Sequence, residues 1–117
     1  MQLNDVRKML YVYAELCKRE RYGVSVVNSI TNKERYTENI KLMKKMINDC
    51  VAGSFCIYYN RVDCIGSVAF DYRVSRTEFT VRPVTNTAYP YLKDKMELLH
   101  KEVLFFKNIG FFENGTK

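Results

Sequence analysis

The sequence predicts an α+β fold: two N-terminal helices, a three-stranded antiparallel meander, and a long C-terminal helix packed on the sheet. Three observations predict it. Apolar residues recur at three- and four-residue steps in both end regions, the spacing of one helical face. Between residues 54 and 84 the period drops to two, the spacing of a strand with one buried face. The connections inside that middle region are short, and short connections join antiparallel neighbours. A chain of 117 residues, 47% of them hydrophobic, is enough for one domain, residues 1–117, with a real core and too little for two.

The first helix is expected over 5–21. Asn4 is placed to cap it, with Asp5 in the first turn. Val6, Met9, Leu10, Tyr13, Leu16 and Cys17 form its apolar stripe, while Lys8, Tyr11, Glu15, Lys18 and Arg19 fall outside it. Gly23 is the expected stop. Residues 24–32 fit a short strand, a helical turn or a packed loop. Thr31 and Glu34 have the spacing of a capping box, and Thr37 is a second candidate cap. Ile40, Met43, Met46, Ile47 and Cys50 then line one face of the second helix, which ends before Gly53, and Lys41, Lys44, Lys45 and Asn48 line the other.

The strands are expected at 54–60, 62–73 and 76–84, with turns near Asn60-Arg61 and Val74-Ser75. Cys64, Gly66, Val68, Phe70 and Tyr72 alternate with Ile65, Ser67, Ala69 and Asp71. Pro83 lacks an N–H and suits a strand end or an edge. The last helix is expected over 89–109, with Thr87 as cap and Pro90 in its first turn. Its stripe is Leu92, Met96, Leu99, Val103 and Phe106. Gly110 stands where a left-handed residue closes a helix, which brings Phe106 and Phe111 into contact.

Composition excludes several classes. The opening MQLNDVRKML has no apolar core of a secretion signal, and no run approaches the ~20 residues of a membrane span. The expectation is a cytoplasmic chain, in a host cytoplasm if viral, with Cys17, Cys50, Cys56 and Cys64 reduced. The cysteines lack C-x-x-C spacing, so zinc is not expected. His100 is the only histidine and no nucleophile shares a motif with it. Phosphate-binding glycine loops are absent. No cofactor and no catalytic group is expected, and Asp63, Asp71 and Glu78 read as surface charge.

The stretches CIYYNRVDCIGSVAF, TEFTVRPV and FFKNIGF, in the order helix, helix, strand, strand, strand, helix, resemble the front part of the GNAT acetyltransferase superfamily across roughly residues 50–112. The resemblance implies paired strands, the second opening on an Ile-Gly pair, and a glycine-bearing loop that holds the acetyl-CoA pyrophosphate. Here that loop reads TNTAYPYLK, with no glycine and with Pro90 lacking a donor. What the resemblance implies is therefore a degenerate relative without CoA binding. A helix–three strands–helix unit is also similar to the double-stranded RNA-binding domain, but only Lys93 and Lys95 stand where that module carries its lysine cluster.

Binding is the remaining class. The net charge is +6, and residues 1–50 hold ten Lys/Arg against six Asp/Glu, so the basic face belongs to that half. Lys41, Lys44 and Lys45, joined by Lys18, Arg19 and Arg21, form one candidate surface for phosphates. Tyr58, Tyr59, Arg73, Arg76 and Arg82 form the second, of the kind that stacks bases or anchors a protein interface. A solvated face and tyrosines covering the core edge are the ordinary alternatives. The expectation is a small non-enzymatic binding protein, of the phage or mobile-element type that antagonises a host defence or nucleic-acid enzyme. Its partner would be a host protein or nucleoprotein complex, with direct DNA or RNA binding as the alternative, no membrane, and self-association open through a sheet edge.

Overall fold

The computed structural model describes residues 3–73, 78–85 and 88–108. Its elements run α1 (Leu3–Glu20), β1 (Gly23–Asn28), β2 (Glu34–Thr37), α2 (Ile40–Asp49), β3 (Ala52–Tyr59), β4 (Asp63–Asp71), β5 (Glu78–Pro83) and α3 (Pro90–Asn108). The strands form one antiparallel sheet in the order β2-β1-β3-β4-β5. The α+β class and the β3–β4–β5 meander stand as expected. The three-stranded sheet does not, because a β1–β2 hairpin lies between the first two helices and adds two strands. The element order that carried the acetyltransferase resemblance is thereby interrupted.

Alternation decides which face is covered. Val24, Val26, Phe55, Ile57, Val68 and Phe70 are buried on one face. Ser25, Ser54, Cys56, Ser67 and Ala69 take the alternate positions, and Ser25, Cys56, Ser67 and Arg82 stand in register across four strands. α1 packs against both α2 and α3, and each helix reaches the sheet, so the three form a single layer over the first face. Among the described residues the other face carries no helix.

α1 is the middle of that layer, and Val6, Met9, Leu10, Val12, Tyr13, Ala14, Leu16 and Cys17 are all buried. Burying such side chains stabilises by about 1.5–3 kcal/mol each for the larger ones, before entropy is counted. Its end is not made by Gly23. The Tyr22 N–H donates to the Cys17 carbonyl at 2.8 Å and the Arg21 N–H to Lys18 at 3.1 Å, a Schellman closure. Arg21 takes the left-handed place at φ 60°, and Gly23 lies inside β1.

α2 is capped by neither Thr31 nor Thr37. The Asn39 side chain accepts from the Leu42 N–H at 3.1 Å. Asn28 accepts from Ile30 and Thr31 in the β1–β2 turn, and Glu34 is bonded to Ser25 at 2.5 Å. The capping-box spacing of Thr31 and Glu34 therefore sits in a hairpin.

α3 crosses β4 at Gly66. A Cβ there would lie 2.6 Å from Met96 Cγ and 2.7 Å from the Arg82 carbonyl oxygen. The Ile65-Gly66 pair is thus explained by packing: β4 bulges at the Ile57/Tyr58 register shift, burying Ile65 and seating α3 on a bare backbone. Pro83 ends β5, an edge strand. Gly110 and Phe111, the Thr87 cap and the Val74-Ser75 turn lie outside the described residues. No helix is long and apolar enough to cross a membrane among the described residues.

Candidate functional site

Tyr22, Tyr36, Tyr58, Tyr59, Tyr89 and Tyr91 gather at one end of the sheet, six of the chain's nine tyrosines. The register places them. Gly23, directly after Tyr22, pairs with Tyr58, and the β3–β4 turn follows Tyr59. Period-two alternation then sends Tyr58 and Tyr59 to opposite faces. Tyr59 meets Tyr22 edge-on at 6.3 Å and Tyr91 at 6.3 Å, with the Lys95 ammonium 4.6 Å from its ring centre. Tyr58 meets Tyr36 at 6.1 Å on the face without helices. Tyr36 crosses β1 at Gly23, where any Cβ would overlap its hydroxyl. Glycine there lets the ring lie against the sheet. Burial pushes the Tyr58 phenol up to about 12, so it stays a neutral donor.

The β3–β4 turn projects from this end. Asn60 and Arg61 both have positive φ, 47° and 72°. For an arginine that backbone costs about 1–2 kcal/mol relative to the right-handed form. Arg61 is held by Glu38 at 2.9 Å, and Val62 beside it is 79% exposed. Arg21, the other arginine in a left-handed conformation, closes α1 at the same end.

The basic helical set comes together only in part. α1 and α2 pack antiparallel, with Tyr11 bonded to Asn48 at 2.5 Å and Lys44 to Glu15 at 2.7 Å. The same register carries Lys18 alongside Lys41. Lys18, Lys41 and Lys45 are exposed, but Lys44 is half-buried, paired with Glu15 and 5.6 Å from the Tyr11 ring. Arg19 is bound by Glu20 and Glu102, which leaves it no free charge.

The sheet set is split. Arg73 lies at the far end, where Asp71 grips it through two bonds of 3.1 and 2.8 Å and drops its own pKa to about 2. Arg82 stands mid-face beside Ser67. Arg73 and Arg82 both line a depression of about 270 Å³ together with Ser29, Ser54 and Thr80. Arg76 lies outside the described residues. Tyr58 and Tyr59 are the two members of this set that join the aromatic end. Tyr36, Arg61, Val62, Tyr89 and Tyr91 were missed, because the chain brings them from three separate segments that meet only in the folded molecule.

Burial pushes the Cys56 thiol up to about 11, aided by Cys64 and Glu34, so it is protonated and a poor nucleophile at neutral pH. Burial lowers the His100 pKa, and its Nδ1 is 2.5 Å from the Tyr13 hydroxyl, with the rings stacked at 12°. A hydrogen bond between the neutral ring and the Tyr13 hydroxyl ties His100 to α1. No family model, no curated protein and no solved structure matches this chain.

Proposed function

We propose that this chain is a small non-enzymatic binding protein that occupies a surface of another protein through its tyrosine-rich end, in the manner of a phage or mobile-element antagonist of a host enzyme. The observation that carries the reading is the gathering of tyrosines at one end of the sheet, Tyr36 with Tyr58 on one face and Tyr59 with Tyr91 and Tyr89 on the other, where the Arg61-Val62 turn projects and Arg21 and Arg61 hold strained backbone positions. Tyrosine and arginine dominate interface hot spots because each offers a large apolar surface and a polar handle. Strain kept at two exposed arginines, where glycine or asparagine is cheaper, supports a use for those side chains outside the fold.

A nucleic-acid partner has narrower support. Lys18, Arg21, Lys41 and Lys45 are the exposed cations of its helical set, whereas Lys44, Arg19, Arg61 and Arg73 are neutralised within the chain. An aliphatic tip that is 79% exposed suits a protein pocket and does nothing for phosphates.

The test is affinity capture with the full chain from nuclease-treated lysate. The expected result is one retained protein that Val62→Glu releases; Val62 touches too little for its loss to disturb the fold. Retention unaffected by Val62→Glu rules the surface out. Capture that vanishes with nuclease, or binding to generic DNA or RNA that weakens steeply with salt, replaces the reading with the nucleic-acid one.

A further inference from the structure

α3 carries two apolar rows. Leu92, Met96, Leu99 and Val103 are buried in the core. Tyr91, Leu98 and Phe105 face outward, 46%, 59% and 59% exposed. They recur every seven residues and so lie along one line, drifting about 20° per repeat. At 1.5 Å per residue the row is about 21 Å long. A row of large apolar side chains is not an ordinary free surface.

Two charges interrupt it, Asp94 and Lys101, both exposed. Neighbouring charges are engaged: Lys93 with Glu97 at 3.9 Å, Lys95 on the Tyr59 ring, Glu102 with Arg19. Asp94 and Lys101 form no ion pair among the described residues. The row is also symmetric about Leu98. Tyr91 and Phe105 stand equally far on either side, and Asp94 and Lys101 stand at nearly equal distances within them.

That symmetry selects the occupant. A second copy of α3, laid antiparallel about a two-fold axis through Leu98, sets Leu98 on Leu98 and Tyr91 on Phe105. It also brings Asp94 opposite Lys101 twice, once on each side of the axis. A parallel arrangement puts like charge on like charge. A membrane is disfavoured by the two charges within the row. We propose that the outer row of α3 docks a second copy of this chain as an antiparallel two-fold dimer. The surface uses Tyr91 but not Val62, Arg21 or Arg61, so it stands or falls apart from the binding reading above. A single helix pair buries less than the ~1,200 Å² of a standard interface, which places the dimer in a concentration-dependent regime.

Sedimentation of the full chain over micromolar concentrations at low salt tests this. The expected result is a monomer–dimer equilibrium that Leu98→Glu abolishes with unchanged circular dichroism. Asp94→Lys and Lys101→Asp each weaken the dimer about tenfold or more, since each creates two like-charge contacts. The double exchange Asp94→Lys/Lys101→Asp restores it to within about twofold, as reciprocal pairing requires. A monomer at every concentration overturns the proposal. So does a dimer indifferent to Leu98→Glu, or a double exchange no better than the single ones. A chain that stays monomeric while Leu98→Glu releases a different captured protein assigns the row elsewhere and also overturns it.

Discussion

Arg21 closes α1 in a backbone conformation that glycine adopts freely. Replacing it removes left-handed strain of about 1–2 kcal/mol and returns about 0.5–1 kcal/mol of chain entropy to the unfolded state. Arg21→Gly is therefore expected to raise stability by roughly 0.5–1 kcal/mol, read as a higher urea midpoint. If the side chain serves the tyrosine-rich end, the same variant loses captured partner while gaining stability. A variant that gains stability and keeps full capture removes Arg21 from the interface. His100 gives a second residue-level outcome. Burial lowers its pKa, so the folded state favours the neutral ring against Tyr13. Its contribution is complete above the unfolded value of about 6.5 and is lost as pH falls through the folded one. The urea midpoint of the wild type should drop more between pH 7 and pH 5 than that of His100→Phe. Equal drops mean that other groups carry the acid sensitivity.

Among the elements, the contact between α3 and β4 is the most exposed to a single change. Gly66→Ala forces its Cβ against Met96 and the Arg82 carbonyl, at a cost of about 1–3 kcal/mol for overpacking. Met96→Ala alone leaves a cavity worth about 2–5 kcal/mol. The double variant is expected to cost less than the sum, because the shortened side chain yields the space the new methyl needs. Additive losses by chemical denaturation would place the strain at the Arg82 carbonyl. The three helices and the β3–β4–β5 meander were legible because each has a long, regular apolar period. β1 and β2 were not. In Gly23–Asn28 the alternation of Val24, Ser25 and Val26 is broken at once by Val27, a run too short to separate a strand from a helical turn or a loop. Glu34–Thr37 has four residues with Tyr36 its single large apolar one, and only pairing with β1 makes it a strand. Thr31 and Glu34 copied a helix signal by chance, while the real cap, Asn39, lay closer to the apolar run.

At the scale of the whole molecule, charge is spread more evenly than +6 implies, since several cations are matched inside the chain. That is why the basic set read from the sequence contracts to Lys18, Arg21, Lys41 and Lys45. Spacing identified which cations share a helical face, but Glu15 and Glu102 come from other helices, and no local pattern reveals them. The aromatic site was half legible: Tyr58 and Tyr59 stand adjacent in sequence, whereas Tyr36, Tyr89 and Tyr91 arrive only when the sheet closes.

The central position of α1 has a consequence for synthesis. Its apolar surface is enclosed by the sheet, α2 and α3, all of which are made after it. Of the three described helices α1 is made first and shut in last, and its greasy side stays uncovered until Pro90–Asn108 arrives. Chaperones that hold emerging chains should find their grip here, and release should coincide with the birth of α3.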